Sequence, residues 1–252
     1  MKKDRLKSLG IKQTIQRHWM DRTLQMLLAG MPESEIRAEL DSYLATQRQS
    51  GGSGERGQKT YGMAIYILRC WFAPDPDLLG LRDDALSLAR DIPPDRWLPL
   101  HWAVLSASYP FWFNTARQCG RLLNLQNQIS QRQVFARLTE TYGDRETVLR
   151  NARYTIRSFV AWGVLVDSPE KGCYAPSAKI AVKTPAEASL LLEAALLASP
   201  GIKAALSQLS GTPGLFPFEM PPVTGAQLAE VNQRLSVMRY GRDEEMIALS
   251  KG

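Results

Sequence analysis

The chain has 252 residues, 44% of them hydrophobic and 22% charged, which is enough for a sizeable core and for one large or two small domains. Its formal charge of +6 admits a polyanionic partner without requiring one. Three cysteines, Cys70, Cys119 and Cys173, lie far apart with no CxxC spacing, which argues against a zinc site and a disulfide framework and for free thiols in a reducing cytoplasm.

The start, MKKDRLKSLG, is basic, but Arg17, His18, Asp21 and Arg22 break any signal-peptide core after it. No stretch is apolar for long enough to cross a bilayer; Leu100 to Phe113 comes nearest and is interrupted by Ser and Pro. No contact with a membrane is expected.

Residues 14–30 repeat apolar positions with helical period (Ile15, Trp19, Leu24, Leu27, Leu28) and end at Gly30. A second helix follows in MPESEIRAELDSYLATQRQ, with Pro32 near its first turn and Ile36, Leu40, Tyr43 and Leu44 as its stripe. Residues 1–50 therefore read as a helical hairpin.

GGSGERGQKT, residues 51–60, comes close to a phosphate-binding loop. Gly52 and Gly57 have the right spacing, but Gln58 occupies the lysine position, and Lys59 and Thr60 come one residue late. The stretch also follows a helix, where a P-loop follows a buried strand. Residues 51–58 read as a Gly-rich loop, with Arg56 and Lys59 able to touch a phosphate without catalysis.

Residues 59–114 read as a helical core. TYGMAIYILRCWF is a buried helix, though its length and β-branched content leave a strand open. LLGLRDDALSLARDIP is a short helix, IPPDRW a proline-marked joint, and LPLHWAVLSASYPFWFNTARQCGRLLNLQNQ one or two helices broken at Pro110. The aromatics Trp102, Tyr109, Phe111, Trp112 and Phe113 form a core knot.

Residues 115–182 carry the most informative pattern. A helix ends at Gly143, Asp144 is placed to cap the next one, and that helix runs from Arg145 to about Trp162 and stops at Gly163. VLVDSP and CYAPSAKIAV then flank an EKG turn as a hairpin. Helix, tight turn, helix and hairpin is the ending of a winged helix-turn-helix. At about 100° per residue, Leu149, Ala152, Ile156, Phe159 and Val160 make a core stripe. Thr147, Asn151, Tyr154 and Ser158 fall opposite, with Arg150 and Arg157 beside them. Such a face suits a major groove, where Arg pairs with guanine, Asn with adenine, and hydroxyls with phosphates. Lys171, at the hairpin tip, is placed for a backbone contact.

Residues 183–252 give C-terminal helices and a small β-hairpin. PAEASLLLEAALLAS and IKAALSQLS read as helices, TPGLFPFEMPPVTG as a connector anchored by Phe216 and Phe218, and AQLAEVNQRL as a short helix. SVMRYGRDEEMIALS reads as strand, turn at Gly241, and strand: a second wing-like element or an edge awaiting a partner.

The expected fold is mainly α, a multi-helix body with an embedded winged helix-turn-helix and a terminal hairpin. No catalytic set is legible. His101 sits in an apolar setting and His18 on a helix surface, and Asp75, Asp77, Asp83 and Asp84 flank turns and caps. Neither a cofactor nor a metal is expected, and the chain reads as a non-enzyme.

The hairpin ending in MDRTLQMLLAGMPESEIRAEL, the helical middle, and TVLRNARYTIRSFVAWGVL leading into a strand together resemble BrxA-type accessory proteins of bacterial BREX phage-defence systems. The resemblance is one of layout over most of the chain, and it transfers no individual residue. It implies a small, mostly helical, cytoplasmic DNA-binding component without catalytic motifs, working with other subunits of a defence complex. The expected partner is double-stranded DNA. The rival readings are a scaffold or adaptor that uses the winged helix for protein contacts, and a transcriptional regulator.

Overall fold

The computed structural model describes residues 2–47, 57–240 and 244–250, and it is mainly helical with three small sheets. A short helix, α1 (Lys2–Lys7), precedes an irregular segment in which Ile11 and Ile15 are fully buried. Helices α2 (Arg17–Leu28) and α3 (Glu33–Ala45) form the expected hairpin, turned by Gly30 at φ 77°. Helix α4 (Gln58–Phe72) resolves the helix-or-strand ambiguity in favour of a helix, packed on α2, α3 and α6. A 3-10 turn (Pro76–Leu78), α5 (Leu79–Asp91) and a second 3-10 turn (Pro94–Arg96) lead to α6 (Leu98–Ser108) and α7 (Pro110–Leu123). The break at Pro110 therefore makes two helices.

The centre of the molecule is α6 against α10 (Pro185–Leu197). Leu98 to Ala107 is buried throughout, as is Glu187 to Leu197, so neither helix has a solvent face. A helix that is apolar all round belongs inside. Trp102 stacks on Phe159 at 5.2 Å and meets Trp112, Trp162, Phe216 and Phe218 edge-on. The expected aromatic knot thus joins α6 and α7 to elements from later in the chain. The 3-10 turn Pro213–Leu215 lies directly on α7, and a Cβ at Gly120 would sit 2.1 Å from the Pro213 carbonyl oxygen. Only glycine permits that approach.

From α7 the chain runs through β1 (Ile129–Ser130), α8 (Gln131–Tyr142), α9 (Glu146–Ala161), β2 (Leu165–Asp167) and β3 (Cys173–Pro176). The three strands form an antiparallel sheet in the order β1-β3-β2. β1, two residues long, has no periodicity to announce it.

Three sequence expectations fail. CYAPSAKIAV is not one strand, because β3 ends at Pro176 and β4 (Ile180–Ala181) pairs in parallel with β6 (Phe218–Glu219). Proline lacks the N–H needed to continue the ladder. IKAALSQLS is not one helix either. Lys203–Ala205 forms β5, and only Leu206–Ser210 is helical, as α11. Strand pairing of Ala204 with Ile247 overrides the helix propensity of the alanines. Lastly, Asp144 does not cap α9. Arg145 holds the cap position, with no side-chain cap bond. Beyond α12 (Gly225–Val231), the expected hairpin forms as β7 (Leu235–Tyr240) and β8 (Glu244–Leu249). β5 joins it in the order β5-β8-β7, leaving β7 at the edge; the expected turn residue, Gly241, lies outside the described residues.

Candidate nucleic-acid interface

Helix α8 opens with a capping box: the Ser130 hydroxyl accepts from the Gln133 N–H, and the Gln133 side chain accepts from the Ser130 N–H at 2.8 Å. It closes at Gly143, φ 82°, and α9 follows after a tight turn. Val134 and Leu138 of α8 share one buried cluster with Val148, Ala152, Ile156 and Phe159 of α9. The turn after β2 is tied to the start of α8, since the Gln131 N–H donates to the Gly172 carbonyl at 2.7 Å. Lys171 stands exposed on that turn.

The orientation of α9 differs from the one read in the sequence. Its buried side is Val148, Asn151, Ala152, Thr155, Ile156, Ser158 and Phe159, whereas Leu149 and Val160, expected in the core, are only partly buried. At about 100° per residue, the helix is turned by roughly a fifth of a revolution from the expected stripe. The cause is the segment before α2. Ile15 donates its N–H to the Ser158 hydroxyl at 2.9 Å, and its carbonyl accepts from Trp162 Nε1 at 3.0 Å. This strip of backbone lies against the C-terminal end of α9, at Ser158, where the sequence left a solvent face.

Two of the expected groove residues are therefore not available. Ser158 is completely buried, and its hydroxyl donates to the Tyr154 carbonyl. Asn151 is 7% exposed, with its Nδ2 donating to the Thr147 carbonyl at 2.7 Å. Thr147, Arg150 and Arg157 are exposed, and Tyr154 is half-buried against the core. The residue that was missed is Arg153, exposed between Arg150 and Arg157, its guanidinium 5.9 Å from the Phe135 ring of α8. The Arg150, Arg153, Arg157 spacing was legible as one stripe, but the assumed core stripe hid it.

The charge of this surface is mixed. Residues 129–176 hold seven Lys or Arg against five Asp or Glu. Arg150 lies a loose 4.0 Å from Glu146, with both side chains more than half exposed. Arg157 forms a close ion pair with Asp167 of β2. Burial lowers the Arg157 pKa, but its hydrogen bonds to Asp167 and Tyr174 outweigh that and leave it above its ordinary value. Arg157 thus stays charged, and an incoming phosphate must compete with Asp167.

The second expected contact is divided. Arg56 lies outside the described residues. Lys59 is exposed in the first turn of α4, where it shares a shallow hollow with Lys12 and Tyr66. Among the described residues, the element before it is helix α3, which ends at Ala45, and Gly57 stands at the head of α4; most of the Gly-rich loop lies outside the described residues.

The remaining candidate groups have structural partners. His101 is fully buried; Trp71 Nε1 donates to its Nδ1 at 3.1 Å, which leaves Nε2 to donate to Asp21 at 2.9 Å. Burial lowers its pKa and keeps the ring neutral. Asp75 and Asp77 are held by Arg5, Asp83 by Arg82, and Asp84 by Arg234. Among the described residues, no three His, Cys, Asp or Glu side chains are grouped to hold a metal ion. All three cysteines are free and buried. No helix among the described residues is long and apolar enough to cross a membrane.

Comparison of the chain with protein-family models, with curated proteins and with solved structures finds no match.

Proposed function

We propose that the unit from α7 to β3 is a winged helix-turn-helix that binds double-stranded DNA without catalysis. α9 is its recognition helix and the turn carrying Lys171 its wing. The strand order β1-β3-β2 around α8 and α9 supports this reading of the fold. The observation that carries the binding is the exposed stripe Arg150, Arg153 and Arg157, with Thr147 at its leading end. Three guanidinium groups along one helix face can pair with guanine edges or phosphates. Asn151 and Ser158 drop out of the contact set.

The test is fluorescence anisotropy with labelled duplex across a salt series. Each phosphate contact adds about 0.9 to the slope of log affinity against log salt. Replacing Arg150, Arg153 and Arg157 by Ala lowers that slope by up to about 2.7, and by less if Asp167 retains Arg157. A slope unchanged in the triple variant removes α9 as the reading helix.

One observation favours the rival, a protein-docking surface. Val166 is 47% exposed on β2, next to Asp167 and near Glu170, and an apolar and acidic wing suits a protein better than a phosphate backbone. Negligible duplex affinity in ordinary salt, with an intact fold, favours that reading. An accessory role in a phage-defence complex rests on the resemblance in layout, and co-purification of defence-complex subunits with the tagged chain from its native host tests it.

A further inference from the structure

Helix α4 buries Ala64, Ile65, Ile67, Leu68 and Cys70 to Phe72, and turns its other side to solvent. In the middle of that side stands Tyr66, 53% exposed. A hollow opens on each flank of it. One, about 280 Å³, is lined by Lys12 and Lys59 with Gly62 and Met63. The other, about 360 Å³, is lined by Arg69 and Arg5 with Ser8 and Ser108. Tyr66 itself lines both.

The charges here are unbalanced. Arg5 is committed to Asp75 and Asp77, and Asp75 closes the far end of the second hollow. Lys12, Lys59 and Arg69 form no ion pair with any described carboxylate, and the Arg69 Nε is buried without an acceptor. The Arg69 guanidinium lies 6.0 Å from the centroid of the Tyr66 ring, so the cation and the ring are already side by side and an anion entering there would complete the charge.

The arrangement is fixed. The Tyr109 hydroxyl donates to the Tyr66 carbonyl at 2.8 Å, and the two rings lie 6.5 Å apart. Gly10, at φ 68°, lets the segment carrying Lys12 close on Tyr109, because a Cβ there would sit 2.4 Å from that ring.

We propose that this face of α4 binds single-stranded nucleic acid. Tyr66 is the platform for one unstacked base, Lys12 and Lys59 take the phosphate on one side, and Arg69 takes the phosphate on the other. A duplex keeps its bases stacked and has no use for an exposed ring, whereas single strands bind by base stacking within a cationic groove. From Lys59 to Arg69 the helix rises about 15 Å, room for a short run of strand. The site is separate from the α9 stripe and does not rest on it.

The experiment is anisotropy with a fluorescein-labelled oligothymidylate, which forms no duplex, at low and moderate salt. Tyr66→Ala weakens binding about tenfold or more, Tyr66→Phe retains it, and Lys59→Ala/Arg69→Ala weakens it and flattens its salt dependence. The α9 triple-alanine variant binds the oligomer as the parent does, so failure of one interface is distinguishable from failure of the other. The proposal is overturned if the oligomer does not bind, or if Tyr66→Ala binds as the parent does. It is equally overturned if thymidine monophosphate or inorganic phosphate saturates the protein as tightly as the oligomer, which would make the site a small-anion pocket.

Discussion

Replacing Ser158 by Ala separates the buried side of α9 from its exposed one. The Ser158 hydroxyl accepts from the Ile15 N–H at 2.9 Å, the one acceptor of that N–H among the described residues, and Ser158 is fully shielded from solvent. Alanine fits the space but leaves that N–H without a partner in a place water does not reach. An orphaned buried donor costs about 1–3 kcal/mol. Loss of the hydroxyl's other bond, to the Tyr154 carbonyl, adds little, because that back-bond stabilises a helix only weakly. For a chain of this size the loss lowers the melting temperature by about 2–12 °C. The assay pairs thermal unfolding with duplex-DNA anisotropy on the same preparation: Tm falls, while affinity, measured well below it, stays within about twofold of the parent. An unchanged Tm with a large loss of DNA affinity would refute the reasoning, returning Ser158 to the groove face where the sequence had put it.

Two further outcomes are expected. Arg234→Ala removes two hydrogen bonds to Glu193, a carboxylate only 3% exposed that Asn232 alone then serves, and one to the half-exposed Asp84. Because Arg234 is itself 36% exposed, losing its bonds to the buried Glu193 carboxylate costs about 1.5–3 kcal/mol and losing the outer pair at most about 1, read by urea unfolding, and a total loss under about 0.5 kcal/mol contradicts the argument. The second concerns pH. His101 is held neutral, and a proton on Nδ1 would confront the Trp71 N–H. Its folded pKa lies below the ordinary 6.5, so the unfolded chain takes up the proton first. The contribution of His101 to stability is complete above about 6.5 and is lost as pH falls through that value towards the folded pKa. Titration of the His101 ring by NMR in the folded protein at or above 6.5 would contradict this.

Local signals in the sequence determined much of the helical inventory. Gly30, Gly143 and Gly163 end helices at the expected points, each with positive φ, and Pro110 divides α6 from α7. These devices act through their own backbone and need no distant partner. The predominantly apolar runs that became α6 and α10 are buried on every side, their few polar groups, such as His101, Glu187 and Glu193, being met by partners from other elements.

Tertiary contacts decided the rest. The rotation of α9 followed from Ile15, 143 residues before Ser158, and no helical wheel drawn for α9 alone contains that contact. Serine, threonine and asparagine can face either way, since each satisfies its hydrogen bonds on its own helix or on another strand. The split of IKAALSQLS depended on an edge offered by β8 more than forty residues later, and β1 and β6 exist only because a partner strand lies beside them. The Tyr66 groove required α4, the segment carrying Lys12 and Tyr109 to meet. Sequence alone fixes what a residue and its neighbours within a turn can do. Which face a polar helix buries, and which cations end up side by side, depend on contacts between segments far apart in the chain.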